Sequence, residues 1–135
     1  DAEFAEDGTV KSVGTQNFGN IRLYADNFVL ASGSFFSKGM IATPDRIYEP
    51  VFGVDLSYAE GRDQWFDRNF WNKQNYISYG AKVSKFLHAS IDGKPVGNLY
   101  AIGSLIGGSN TLYEGCGGGI ALLTALAAAD GILEK

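Results

Sequence analysis

Between the apolar run Leu99-Tyr100-Ala101-Ile102 and an apolar stretch from Ile120 to Ala129 lie Gly103, Gly107, Gly108, Gly115, Gly117, Gly118 and Gly119. The second stretch reads as a helix that is apolar nearly all round, a pattern that predicts burial. No Ser, Thr, Asp or Asn stands immediately before it, so its first N–H groups lack a side-chain cap and face outward across residues without a Cβ. The partial positive charge of a helix N-terminus favours an electronegative group there. Strand, glycine loop and helix end therefore make a candidate floor for a cofactor or an anion. Close packing and a tight turn account for the same glycines equally well on local physics alone.

Other chemistry is sparse. A dinucleotide fingerprint needs glycines at i, i+2 and i+5, and counting from Gly115 or Gly117 the third position is Ile120 or Leu122; the Gly-Lys-Ser/Thr of a P-loop is absent. Cys116 would be activated as a thiolate by the helix N-terminus. With no His near it in sequence, a small packed residue is the better reading. His88 is the only histidine, neither Ser84 nor Ser90 sits in a Gly-x-Ser-x-Gly setting, and an edge or surface position is expected for it. One His and one Cys predict no metal site. Aromatics crowd into Tyr58, Trp65, Phe66, Phe70, Trp71, Tyr76 and Tyr79, as core of a covering segment or as a surface for a planar ligand or partner. Arg46, Arg62, Arg68 and Lys73 are scattered, as solvated surface cations usually are, though such groups can also bind a substrate phosphate.

Composition bounds the rest. A chain of 135 residues, 45% hydrophobic and 19% charged, is ordinary globular material of one domain or a large part of one. The net charge of −4 speaks against nucleic acid as a partner. The apolar stretch from Ile120 to Ala129 is about half of the roughly 20 residues a membrane-spanning helix needs. A lone cysteine excludes an internal disulfide and no leader peptide is visible, so a cytoplasmic setting is expected. The first residue is Asp1 and the single methionine is Met40, so a processed or excised piece is expected.

The elements that must position the glycines follow from periodicity. Ala2 to Gln16 predicts a weak strand or hairpin turning at Gly8, and Ile21 to Asp26 alternates as a strand does. Phe28-Val29-Leu30-Ala31 is a second continuous apolar run and predicts a strand buried on both faces, like Leu99 to Ile102. The two belong in one sheet, parallel, with Gly33 and Gly103 flanking one crevice at their carboxyl ends, where open α/β sheets bind ligands. Asp55 to Phe66 predicts a helix interrupted near Gly61, Tyr79 to Val83 a short strand, and Asp92-Gly93 a turn. The expected organisation is a β-rich region (1–34), a covering segment (35–97) and a strand-loop-helix (98–135), the helix running from about Gly118 to Leu133.

Ala25-Asp26-Asn27-Phe28-Val29-Leu30-Ala31-Ser32-Gly33-Ser34 resembles the Ala-Asp-x-x-Val-Leu-Ala-x-Gly strand of the two-part flavoproteins. Asn98 to Ser104, with Gly107-Gly108 and the glycine-rich helix entry, is similar to the C-terminal flavin segment of the same group. Within it, Gly33 to Gly39, Glu49 to Asp55, Tyr79-Gly80 and Glu114 to Gly119 resemble the B-subunit family of the anaerobic glycerol-3-phosphate dehydrogenases. The resemblance implies an α/β chain that is the C-terminal fragment of a Rossmann-like flavoprotein fold, with buried parallel strands, a β-hairpin region and a long C-terminal helix. It implies flavin-dependent oxidation of sn-glycerol 3-phosphate to dihydroxyacetone phosphate, FMN as cofactor with FAD as the alternative, and electrons passed to quinone. Expected partners are the catalytic A and membrane-anchoring C subunits of the dehydrogenase, placing the protein at the inner face of the membrane. Gly33, Ser34, Gly103, Ser104, Gly107, Gly108, Gly115, Cys116, Gly117, Gly118 and Gly119 become the flavin-contacting residues, the helix end supporting negative charge on the flavin; no catalytic residue is assigned.

This sequence departs from the wider pattern in two places. Ser104 stands where many flavoproteins place an acid that bonds the ribityl chain. The loop Ser109 to Glu114 lacks the His and Arg of the fumarate reductase branch, against dicarboxylate chemistry. The N-terminal βαβ unit with its glycine fingerprint is also missing, so the chain alone is expected to be inactive. Two rivals stay open: another flavin-dependent dehydrogenase of the same fold, and an interaction or electron-relay module that meets partner subunits through its aromatics.

Overall fold

The computed structural model describes residues 1–15, Asn17 and 19–134. Its strands are β1 (Ala2–Phe4), β2 (Val10–Gly14), β3 (Arg22–Leu23), β4 (Phe28–Leu30), β5 (Ile41–Ala42), β6 (Ile47–Tyr48), β7 (Leu56–Ser57), β8 (Gly80–Ala81), β9 (His88–Ile91) and β10 (Lys94–Ala101). Two helices follow, α1 (Thr111–Glu114) and α2 (Gly117–Leu133). The strands form small sheets in the orders β1-β2-β3, β4-β10-β9, β5-β6 and β7-β8.

The sheet that carries the site is built on β10. Phe28, Val29 and Leu30 pair in parallel with Leu99, Tyr100 and Ala101, as the two apolar runs predict. Leu99, Tyr100 and Ala101 are almost wholly buried, and Leu99 and Ala101 join one core with Leu30, Met40, Val54, Trp65 and Leu105. On the other side β9 pairs antiparallel through the predicted Asp92-Gly93 turn, where both residues have positive φ and the Gly93 N–H donates to Asp55 Oδ2 at 2.8 Å. That pairing slips between Pro95 and Tyr100, and there Asn98 reaches sideways instead. Its Nδ2 donates to the carbonyls of Val10 (2.8 Å) and Asp26 (3.2 Å), and its Oδ1 accepts the Val10 N–H at 2.8 Å. One amide thus ties β10 to β2 and to the approach of β4.

The N-terminal hairpin forms as expected, β1 against β2 with Gly8 at φ +83°; Gln16, the last residue of the predicted stretch, lies outside the described residues, as does Lys135. Asp7 accepts both the N–H and the hydroxyl of Thr9 in that turn, which holds its carboxyl below the usual aspartate range.

Several expectations need correction. The predicted helix Asp55 to Phe66 is instead β7, a reversal, and a single 3₁₀ turn at Arg62–Gln64. Trp65 accounts for the difference: its indole N–H donates to the Ala59 carbonyl at 2.7 Å, folding the chain back on itself. The alternation of Ile21 to Asp26 yields only the short edge strand β3, with Ile21 and Tyr24 exposed. Val29 is 47% exposed rather than buried, because β4 is the sheet's edge strand and its Val29 side lies open. The aromatic group divides. Tyr58, Trp65 and Tyr79 pack into the core, whereas Phe66, Phe70 and Trp71 stand in solvent.

The helix from Gly118 to Leu133 is present, one residue longer at its start, but it is not buried all round. Ala128 is buried, while Leu122, Leu123, Leu126 and Leu133 are 54–83% exposed. A helix apolar on every side needs packing on both flanks, and the described residues cover one.

Side chains fill places that ladders leave open. Buried Glu49 accepts the N–H groups of Val51, Phe52 and Gly53 at 2.7–2.9 Å, closing the turn after β6. Asn98 does the same between sheets, so Asn98→Ala should cost about 1–3 kcal/mol by stranding the Val10 N–H and carbonyl. Urea unfolding measures this; an unchanged midpoint would show that water replaces the amide.

Candidate flavin site

β4 and β10 run parallel, so both carboxyl ends arrive at one side of the sheet, and each is followed by a glycine at positive φ, Gly33 at +77° and Gly103 at +68°. A non-glycine residue is strained in that conformation. The two turns meet: a Cβ built on Gly33 would collide with the Ser37 hydroxyl and lie 3.5 Å from Ser104 Oγ. Ser34 precedes a 3₁₀ turn at Phe35–Ser37 and Ser104 lies in another at Gly103–Leu105. Between them opens a crevice of about 190 Å³, lined by Ser34, Phe35, Phe36, Tyr76, Ile77, Ser104, Thr111 and Leu112; of the eleven residues expected at the flavin, only Ser34 and Ser104 line it. Phe35 and Tyr76 meet edge to face at 6.1 Å and wall one side.

Helix α2 is held against the turn after β10 by a residue that sequence reasoning missed. Thr124 Oγ1 accepts the Gly103 N–H at 2.9 Å and donates to the Ile120 carbonyl at 2.6 Å, bonding the turn after β10 to the first turns of α2. Its only signal in sequence is a lone hydroxyl inside an apolar helix. Thr111 was missed as well: it lines the crevice, and its Cβ lies 3.6 Å from where a Cβ on Gly117 would stand.

The remaining glycines sort by what surrounds them. Gly107 is spent on close packing against Gly80, and Gly108 on a positive φ of +102°. Their N–H groups donate to Ala81 O (3.2 Å) and Ser78 O (2.8 Å), and a side chain on Gly80 would strike the backbone from Leu105 to Gly107. Gly115, at φ +66°, ends α1 and reverses the chain toward α2. Cys116 is the N-cap residue of α2 and supplies no side-chain cap; half-buried, its thiol lies 3.6 Å from Glu114 Oε2. Gly118 and Gly119 have nothing within 4 Å of a built Cβ and no positive φ. Neither turn geometry nor packing requires glycine there, although Ala is the better helix former. With no cap, the N–H groups of Gly117, Gly118 and Gly119 have no intrahelical acceptor. Open approach and unused donors fit an electronegative ligand edge such as a flavin ring presents.

The other candidates lie apart. His88 is on edge strand β9, its ring 4.4 Å from that of Tyr100. Arg46, Arg62 and Lys73 lie over the rings of Tyr48, Trp65 and Tyr113, and neither they nor Arg68 lines the crevice. Among the described residues no cluster of His, Cys, Asp or Glu is arranged to hold a metal, and no helix is long and apolar enough to cross a membrane.

Comparison with known proteins identifies the family. The FAD binding domain family matches residues 1–120. A Pectobacterium carotovorum protein named as the B subunit of anaerobic glycerol-3-phosphate dehydrogenase is 46% identical over 86% of this chain and 28% of its own length. Proteins of that name from Haemophilus influenzae and Vibrio vulnificus are 46% and 39% identical over 96% and 93% of this chain, and 31% and 29% of their own lengths. The chain thus spans under a third of the relatives it matches, and no solved structure matches it. The family points to FAD and gives no support to FMN as first choice. With a crevice at paired strand ends and an open, glycine-lined helix terminus beside it, this chain belongs to the FAD binding domain family of flavoproteins.

Proposed function

We propose that this chain is the C-terminal, flavin-holding part of an anaerobic glycerol-3-phosphate dehydrogenase B subunit with a Rossmann-like fold, in which 98–135 forms the flavin floor and 35–97 covers it. The observation that carries the reading is the pair Gly118 and Gly119, which nothing in the fold requires, at an uncapped helix end beside the crevice. When bound, FAD supplies the two-electron acceptor for oxidation of sn-glycerol 3-phosphate to dihydroxyacetone phosphate, electrons passing on to quinone.

The chain's own groups then have defined tasks. N–H groups of Gly117 to Gly119 would hold the flavin and, with the helix dipole, would oppose the cost of negative charge on it by about 0.3–2 kcal/mol. Hydroxyls of Ser34, Ser104 and Thr111 orient polar atoms in the crevice, with Ser104 replacing a stronger carboxylate contact. Phe35 and Tyr76 exclude water. Thr124 keeps the Gly103 turn in register with the helix end. The protein would meet the catalytic A and membrane-anchoring C subunits of the dehydrogenase, peripherally at the cytoplasmic face, and this segment alone would be inactive. The exposed leucines of α2 support burial against further chain in the longer protein.

A second reading has one observation in its favour. The crevice is lined by hydroxyls and apolar groups with no cation, so a substrate phosphate finds no partner in it. In that reading the protein relays electrons and its partner oxidises the substrate.

In the full-length protein, Gly118→Val should lower flavin content at least about tenfold, a loss of about 1.4 kcal/mol of binding, with thermal stability of the flavin-free form preserved. Retained flavin would place the cofactor elsewhere. Anaerobic mixing of the intact protein with glycerol 3-phosphate should bleach the flavin spectrum, whereas lactate and succinate should not. Bleaching only after the partner is added would favour the relay, and bleaching by lactate or succinate a different dehydrogenase.

A further inference from the structure

The loop from Phe66 to Lys73 displays Phe66, Phe70 and Trp71 at 52%, 78% and 88% exposure, yet its backbone is firmly built. Gln74, nine-tenths buried, lies under it. The Gln74 side-chain oxygen accepts the Asp67 N–H at 2.9 Å, and its amide nitrogen donates to the carbonyls of Asn69 (3.0 Å), Asn72 (3.1 Å) and Phe70 (3.4 Å). Asp67 and Asn69 add turns of their own, accepting the N–H groups of Asn69 (2.7 Å) and Trp71 (3.1 Å). Buried Asn110 donates to the Gln74 carbonyl at 3.1 Å and caps α1, so the loop and α1 are fixed to each other. The result holds the edge-to-face pair Phe70–Trp71 (5.3 Å) beside Tyr113.

Between these rings runs a groove of about 430 Å³, whose lining includes Ile77 and a single charged group, Lys73, 5.6 Å over the Tyr113 ring. Aromatic anchors fixed in place before binding lose little entropy on association and are the residue types that dominate interface energetics. The one cation sets the charge of the occupant. A lipid surface fits poorly, since over residues 60–73 Glu60, Asp63 and Asp67 balance Arg62, Arg68 and Lys73 and leave no basic excess to attract anionic headgroups.

We infer that the Phe70–Trp71–Tyr113 groove is the docking surface for a partner subunit, which inserts an apolar side chain beside the rings and sets a carboxylate against Lys73. This rests on the dehydrogenase reading above, but not on the flavin. The test titrates the full-length protein with its purified partner subunits, followed through sedimentation velocity, comparing wild type with Phe70→Ala, Trp71→Ala and Lys73→Glu. Trp71→Ala should weaken assembly at least about 30-fold, as a hot-spot residue does. Lys73→Glu should weaken it further as salt is lowered, and all three variants should keep the flavin content and melting temperature of wild type. Full assembly by a Phe70→Ala/Trp71→Ala double variant overturns the inference. So does a fall in melting temperature or flavin content alongside assembly, which would place the patch against the protein's own chain. Loss of binding to phosphatidylglycerol vesicles with assembly intact overturns it in favour of a membrane contact, and a wild-type protein that ignores its partners overturns both this and the dehydrogenase reading. A flavin-free preparation whose assembly still fails in Trp71→Ala supports the surface and counts against the flavin reading alone.

Discussion

Parallel pairing of β4 with β10, Phe28 opposite Leu99, is the constraint on which the rest of the molecule depends. Parallel strands cannot be joined by a tight turn, so a long crossover must leave β4 and return to β10. Loop closure grows costly only slowly, by about 0.6 kcal/mol per doubling of length, which leaves the crossover free to carry the covering segment with its small sheets and buried Trp65. Running in one direction, the two strands deliver Gly33 and Gly103 to the same side, and from that end the chain passes through a 3₁₀ turn and α1 into α2. Had β10 paired antiparallel to β4, the two positive-φ turns would lie at opposite ends of the sheet and no crevice would form between Ser34 and Ser104.

The features most legible in the sequence were those set by continuous apolar runs. Leu99 to Ala101 is buried as its composition demands, and Phe28 to Leu30 pairs with it in the predicted direction. Strand direction brought the Gly33 and Gly103 turns together, although the residues that line the crevice there are Ser34 and Ser104 and not the glycines. Burial of α2 and of Val29 was not legible, because hydropathy records which faces can be buried and not how many layers a chain provides. Asp55 to Phe66 failed for a different reason: one indole hydrogen bond from Trp65 to Ala59 outweighs a weak helical periodicity. Asn98, Glu49, Gln74 and Thr124 went unseen together. Each is a polar side chain bonded to backbone, a role that spacing and composition do not mark when the partner is distant, as Val10 is from Asn98.

Glycine in this chain does three separable jobs, and only one of them bears on a ligand. At Gly33, Gly103 and Gly115 it supplies a positive φ; at Gly80 and Gly107 it lets two backbones touch. Both jobs are complete within the fold. At Gly118 and Gly119 neither applies, and Ala in their place would favour the helix. Glycines that neither strain nor contact requires leave the helix end open, and the proposed flavin edge is what would approach its N–H groups.

The same reasoning extends to the exposed apolar groups. Leu122, Leu126 and Leu133 on α2, and Trp71 on its amide-braced loop, are each placed where folding of these residues alone gains nothing from them. Local rules are broken in real proteins chiefly where function needs it. Here the breaches fall in three places: a helix terminus stripped of side chains, a helix flank of leucines, and an aromatic pair held in solvent by a buried glutamine. A small ligand suits the first and cannot cover the other two, which need polypeptide. The proposed reading makes this chain one component of a larger, flavin-bearing assembly, with its own core closed and its outward surfaces open to contact.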